Sequence, residues 1–280
     1  MRFVAILCWL LAFIAQPAWA ASSPGLRSLE QQLASLVAAS PGDVGVAALD
    51  LRSGELVSVN GDEPFPMAST VKVAIAANYL AQVENGRRSL NDTIGGRSAS
   101  RLMENMLVHS DNYATDLLLK DLGGPQTVQA WLTQNSLTGV RIDRNIAQLL
   151  RARRDLHDIR DSSTPRAMVE LLRQIDSGRM LKPSSRSYLL NLMSHCMTGR
   201  NRIRGFLPSG TQVENKTGTL SGLSSDVGFI TMPDGRRIAV AFFARGGTNR
   251  PRTIAQAARA IYDGFAAALW MPFTGALSSP

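Results

Sequence analysis

Apolar positions recur at helical spacing over residues 26–39 (Leu26, Leu29, Leu33, Leu36, Val37), which predicts an amphipathic helix. Residues 43–51 alternate as a strand does, Arg52-Ser53-Gly54 turns the chain, and residues 55–59 predict a second strand. After Asn60-Gly61-Asp62, a loop enters a long apolar-periodic run through Val71, Val73, Ala74, Ala77 and Leu80, closed by Asn85-Gly86. Residues 97–109 and 113–122 read as two helices separated by Ser110-Asp111-Asn112, and Gly123-Gly124-Pro125 ends the second and opens another. Residues 141–163 form a long polar segment dense in arginine. Pro165 starts a helix carrying Met168, Leu171, Leu172 and Ile175, and a further helix covers residues 185–197. From Thr211 the pattern changes to three strand-like runs, 211–219, 226–231 and 237–244, the last two joined by the hairpin turn Pro233-Asp234-Gly235. Pro251 opens a terminal helix through Ile254, Ala257, Ala260, Ile261 and Phe265.

A helix and two strands therefore open the chain, three strands and a helix close it, and the middle is almost wholly helical. The economical fold is α/β of the α+β kind: a five-stranded antiparallel sheet built from both ends, flanked by helices, with an all-α lobe inserted. The expected boundaries are a sheet lobe of residues 21–68 and 205–280 and a helical lobe of residues 69–204. A chain of 280 residues, 45% hydrophobic and 19% charged, has the size and composition for such a core and is neither disordered nor fibrous.

Residues 1–20 stand apart. Arg2, an apolar run over residues 3–15 and the small-residue site Ala18-Trp19-Ala20 make the order of a secretory signal peptide, and the run is short for a membrane span. Cys8 is preceded by Leu7, a poor fit to a lipoprotein cleavage site. The expectation is a periplasmic protein starting near Ala21, a monomer without a stable membrane anchor. Cleavage leaves Cys196 alone, so no intramolecular disulfide is available and the core must supply the stability.

The formal charge of +8 changes the picture little by its sign. The arginines are spread along an exported chain, so nucleic acid is not an expected partner. The makeup of the charge says more: of 30 basic residues only Lys72, Lys120, Lys182 and Lys216 are lysines. A lysine in such a chain marks a place where a compact or deprotonatable amine is required.

Ser69 and Lys72 stand three residues apart where a loop gives way to the first long apolar run. On a helix they share a face, and Ser69 meets free backbone N–H groups and the positive end of the dipole. A partly desolvated amine beside it can lose its proton and act as a base, the minimum equipment of an activated serine nucleophile. Alone, Ser-x-x-Lys is a pattern that chance supplies.

Two further motifs follow in order. Ser110-Asp111-Asn112 lies between two helices, where its hydroxyl and amide can face a cleft. Lys216-Thr217-Gly218 lies in the first strand of the closing sheet, and Gly218 permits close approach of backbone to a ligand. With S-x-x-K, S-D-N and K-T-G in this order, the chain resembles the class A serine β-lactamases and the penicillin-binding proteins over nearly its whole mature length. The resemblance implies a small-molecule β-lactam or D-Ala-D-Ala-like substrate and no cofactor. It implies that Ser69 attacks the lactam carbonyl, Lys72 helps remove its proton, and Ser110 relays a proton to the departing nitrogen. Lys216 would orient Ser110 and attract the substrate carboxylate, with Thr217 and Thr219 hydrogen-bonding to it and Gly218 between them. Asn112 would hold the substrate's amide side chain, and the N–H groups of Ser69 and Thr219 would form the oxyanion hole. Arg202, fourteen residues before Lys216, matches a second carboxylate anchor of some family members; a surface cation is the other reading.

Arg141-Ile142-Asp143-Arg144 and the run 160–165 resemble the two ends of the class A omega loop, where Arg144 and Asp161 would pair to close it. Here the chain departs from the pattern. Class A enzymes carry a glutamate shortly after that arginine, which positions the deacylating water, and none lies between Arg144 and Pro165. Gln148, Asp155, His157 and Asp158 are the substitutes in reach. The distance from Ser69 to Ser110 is also shorter than in typical class A enzymes, which trims a wall of the cleft. The functional readings are an exported serine β-lactamase, a penicillin-recognising D-Ala-D-Ala peptidase or esterase, or a β-lactam- or muropeptide-binding protein without turnover. A metal site at His109, His195 and Cys196 is disfavoured: adjacent helical residues point about 100° apart, and no zinc-type spacing is present.

Overall fold

The computed structural model describes residues 23–267; the expected signal peptide lies outside them. The chain opens with α1 (Pro24–Ala38), β1 (Asp43–Asp50), β2 (Leu56–Val59) and the short β3 (Phe65–Pro66). A 3₁₀ turn, Ala68–Val71, runs directly into α2 (Lys72–Glu84), followed by the small pair β4 (Thr93–Ile94) and β5 (Arg97–Ser98). Then come α3 (Ala99–Val108), α4 (Asn112–Asp121), α5 (Pro125–Gln134), α6 (Ile146–Arg151), β6 (Ser162–Ser163), α7 (Pro165–Asp176) and α8 (Pro183–Ser194). The strands β7 (Val213–Leu220), β8 (Leu223–Thr231) and β9 (Arg237–Arg245) and the helix α9 (Arg250–Ala267) close the described chain.

The five long strands form one antiparallel sheet in the order β2-β1-β9-β8-β7. Its central strand β9 is buried along nearly its whole length, which explains why Ile238 to Ala244 reads as an unbroken apolar run. Ile238, Val240, Phe242 and Ala244 meet α1 and α9 on one face; Ala239, Ala241 and Phe243 meet the helical part on the other. The ten residues from Lys72 to Ala81 in α2 are all buried, as befits a helix surrounded by protein. Four other helices, α3, α4, α6 and α7, start at side-chain caps: Ser98, Asp111, Asn145 and Thr164 each accept an N–H of the first turn.

Several features differ from the sequence expectation; Arg97 and Ser98, expected in a helix, form β5 and pair with β4. The arginine-rich segment contains a helix, α6, whose Asn145–Gln148 capping box fixes six residues that look like loop. The two-residue strands β3 and β6 pair across nearly a hundred residues, Phe65 with Ser163 and Pro66 with Ser162, a contact no local pattern announces. β8 begins at Leu223, earlier than expected, because Gly222, with φ +80°, lets the chain reverse tightly after Leu220. Lastly α7, within the stretch expected to form the helical lobe, lies against the sheet on β1 and β9.

The ends of the arginine-rich segment are joined by hydrogen bonds. Asp161 Oδ1 accepts the backbone N–H groups of Asp143 (2.8 Å) and Arg144 (2.9 Å), and its Oδ2 accepts Arg144 Nε at 2.5 Å. Arg144 also donates to Asp158 at 3.1 Å. Asp161 is buried and adopts φ +54°, so the latch holds a backbone conformation that non-glycine residues avoid. Asp161→Ala strands two backbone donors and one guanidinium. We expect a loss of about 1–3 kcal/mol in thermal or urea unfolding, with protease cuts appearing first within residues 144–160. Unchanged stability and unchanged cleavage would contradict the latch.

Candidate active site

The 3₁₀ geometry of residues 68–71 tightens the first turn, so side chains three apart eclipse one another and Ser69 stands over Lys72. Ala68, just before Ser69, adopts φ +49°. A non-glycine residue there costs on the order of 1–2 kcal/mol, and the surroundings hold it in place. The Met67 carbonyl accepts from Thr70 Oγ1 (2.8 Å) and from Ser225 Oγ on β8 (3.1 Å), while Met67 N–H donates to Asp161 O at 2.9 Å. The Ser69 turn is thus fastened to the sheet on one side and to the loop latch on the other. Ser69 itself is half-buried, and its hydroxyl has no hydrogen-bond partner among the described residues.

Lys72 is fully buried. Its Nζ donates to Ser110 O (2.7 Å), Asn112 Oδ1 (2.8 Å) and Ser110 Oγ (3.2 Å). Lys216, also fully buried, reaches the same Ser110 Oγ at 2.9 Å from the opposite side and donates to Thr217 O. Ser110 adopts φ +59° at the break between α3 and α4, where Asp111 caps the next helix, so its carbonyl and hydroxyl both face the lysines. Burial, then the Lys216 charge, lower the pKa of Lys72 to about 7; Asp111 and Asp116 pull the other way. Burial lowers Lys216 to about 8.

Lys216-Thr217-Gly218 lies in β7, the edge strand, whose side chains and backbone face the Ser69 turn. A Cβ on Gly218 would stand 2.3 Å from Ser225 Oγ and 2.5 Å from Met67 O, so only glycine lets the strand and the turn approach this closely. Thr217 Oγ1 is hydrogen-bonded to Thr198 Oγ1, and Thr219 is exposed. Asn112, also exposed, spends its carbonyl oxygen on Lys72 and leaves its NH₂ free toward the cleft.

Arg202 is no surface cation. It is buried, with NH1 donating to Gly218 O and Ser225 O (both 2.8 Å) and NH2 donating to Thr219 Oγ1 at 2.6 Å. It therefore orients Thr219 and the end of β7, and its charge acts from beneath the strand. Next to it lies a carboxyl the sequence did not single out. Asp226 is fully buried, accepts from Asn215 Nδ2 (2.8 Å) and from Ile203 N–H (3.2 Å), and is pushed by burial up to about 6. A second missed group is Asp116, which accepts Ile146 N–H (2.7 Å) and Ala147 N–H (2.9 Å) at the start of α6. It sits four residues after Asn112 on α4, so helical spacing on the motif's own face was the available signal.

Three of the four substitutes for the absent glutamate are engaged by partners. Gln148 closes the capping box with Asn145, and Asp155 accepts His157 N–H at 2.8 Å. Asp158 is gripped by Arg160 and Arg144, and the Arg160 hydrogen bond chiefly holds its pKa down near 2. His157 is exposed. The position two after Arg144 is the buried, apolar Ile146.

A serine and a lysine on one turn, a second serine held between two lysines, and a glycine-backed edge strand define a serine acyl-transfer site. Residues 28–265 match the sequence model of the β-lactamase enzyme family, and the chain belongs to that family as a class A-like serine β-lactamase. It is similar to the extended-spectrum β-lactamase PER-1 of Pseudomonas aeruginosa, with 30% identity over 84% of this chain and 86% of the relative. It is also similar to the carbapenem-hydrolyzing β-lactamase KPC of Klebsiella oxytoca, with 31% identity over 80% and 84%. Among solved structures, an ancestral (GNCA) class A β-lactamase superposes with a TM-score of 0.80 at 33% identity, covering 85% of this chain and all of the other.

Gly218→Ala tests the packing that builds the site. We expect about 1–3 kcal/mol lower stability and a loss of reactivity toward β-lactams exceeding roughly tenfold. A variant that keeps full reactivity would show that the close approach is dispensable.

Proposed function

We propose that the enzyme opens β-lactams through an acyl-enzyme on Ser69, that this first step is fully equipped, and that hydrolysis of the ester is slow. The observation that carries the reading is the pair of buried lysines on Ser110, one of them neutral near pH 7. In the first step Ser69 Oγ bonds to the lactam carbonyl carbon and its proton passes to the Lys72 amine. The carbonyl oxygen takes the negative charge and is held by the N–H groups of Ser69 and Thr219. The C–N bond then breaks, and the nitrogen takes the proton of Ser110, which Lys72 replaces across 3.2 Å. Lys216, Thr217 and Thr219 hold the substrate carboxylate, with Arg202 fixing Thr219 from below, and the Asn112 NH₂ receives the carbonyl of the substrate's side-chain amide.

Breaking the ester needs a water and a base. The omega-loop groups in reach are engaged or exposed, so Lys72 is the base that remains, and it must act on a water that no carboxylate orients. A leader at residues 1–20 places this chemistry in the periplasm. The same lack of a free loop carboxylate supports a second reading: a penicillin-recognising D-Ala-D-Ala peptidase or esterase, for which β-lactams are slow inhibitors.

Mass spectrometry of the protein mixed with benzylpenicillin should show a mass increase of one intact penicillin on the peptide containing Ser69. Ser69→Ala should show none; an adduct on Ser69→Ala sinks the reading. Turnover of D-Ala-D-Ala peptides with no β-lactam turnover would select the second reading. Acylation should follow a bell in pH. Lys72 must be neutral, so the rate rises through about 7; Lys216 must be charged to attract the carboxylate, so it falls through about 8. These limbs belong to the coupled pair. A rate flat from pH 6 to 9 would contradict the assignment.

A further inference from the structure

Along β7 the proposed substrate contacts have an order: Lys216 and Thr217 take the carboxylate, Thr219 the reacting carbonyl, and Leu220 comes next. The acyl side chain of the substrate therefore leaves the carbonyl toward Leu220 and what faces it. Leu220 and Pro66 form one wall of a narrow crevice whose other wall is the loop after α6, with Arg153, Arg154, Asp155 and Arg160. The β7–β8 turn is packed against the same loop: a Cβ on Gly222 would stand 2.8 Å from Leu156. Arg245 donates to Leu156 O at 3.4 Å and ties it to the sheet.

The charges of this wall do not cancel. Arg144 is bound to Asp161 and Asp158, and Arg160 to Asp158. Arg153 and Arg154 are exposed, and neither has an ion pair or hydrogen bond among the described residues. Asp155, the carboxylate beside them, accepts the His157 N–H. Arg151, at the end of α6, adds a third exposed and unengaged cation just before them. Two planar guanidinium groups at the mouth of a crevice, free of internal partners, suit a carboxylate or phosphate.

We propose that Arg153 and Arg154 are specificity residues that select substrates with a negatively charged acyl side chain. The inference rests on the acyl-enzyme reading above and adds a substrate class to it. Attraction by exposed arginines acts mainly on capture of the substrate and is screened by salt.

Benzylpenicillin and carbenicillin differ only by a carboxylate on the carbon next to the acyl carbonyl, so they isolate this charge. At low ionic strength the second-order rate of Ser69 acylation should favour carbenicillin by about tenfold. The preference should vanish in Arg153→Gln/Arg154→Gln and in 0.5 M salt. Benzylpenicillin acylation should stay unchanged in that variant, and Arg153→Glu/Arg154→Glu should invert the preference. An equal ratio in the native enzyme, or a ratio that survives the double substitution, overturns the inference. Rates that fall together for both penicillins overturn it as well, because that marks a structural role. If neither penicillin labels Ser69, the acyl-enzyme reading fails, and this inference with it; labelling by both without charge preference removes this inference alone.

Discussion

Two lysine amines, both fully buried, meet on one serine hydroxyl. Among the described residues no carboxylate is hydrogen-bonded to either, so the protein must bear the desolvation of two cations close together. The relief available is loss of a proton, and it falls on Lys72, which has Lys216 as a neighbour and its amine directed at three oxygens. The arrangement that is costly for folding lowers the pKa of Lys72 to about 7. Lys216 keeps the charge longer, and the buried Asp226 and its bonds to Asn215 and Ile203 lie behind it on the far side of β7.

The rest of the site is built to hold that meeting point. Three non-glycine residues with positive φ surround it: Ala68 before the nucleophile, Ser110 between the lysines, and Asp161 at the latch. Each is locked by partners from a distant part of the chain. The Met67 carbonyl draws on Thr70 and Ser225, the Ser110 groups on both lysines, and the Asp161 carboxylate on Asp143 and Arg144. The five-stranded sheet places β7 at its edge, where Gly218 lets it touch the Ser69 turn while Thr219 stays exposed.

The long elements were legible because burial on one or two faces imposes a period. β9 reads as an apolar run since both its faces are covered, and α1 and α9 as stripes since each covers the sheet with one side. Three short motifs were legible, and the fold brings Lys72, Ser110 and Lys216 from them together, with β7 against the Ser69 turn. What escaped the sequence depends on tertiary partners. Arg202 carried two readings, and the surface one falls only once Gly218, Ser225 and Thr219 are seen to receive it. β3 and β6 are two residues each and exist only by pairing with one another. Asp226 follows Ser224 and Ser225 in β8, where nothing local shows that it is buried, and α6 hides in a segment dominated by charge.

In the proposed cycle the absent loop glutamate separates an equipped step from an unequipped one, and pre-steady-state kinetics distinguishes the two. In a stopped-flow experiment with a chromogenic cephalosporin in excess, the account predicts a rapid burst of about one product equivalent per enzyme molecule. A much slower steady rate should follow, set by ester hydrolysis. Linear product formation from the first turnover, with no burst and no Ser69 ester accumulating, would contradict it.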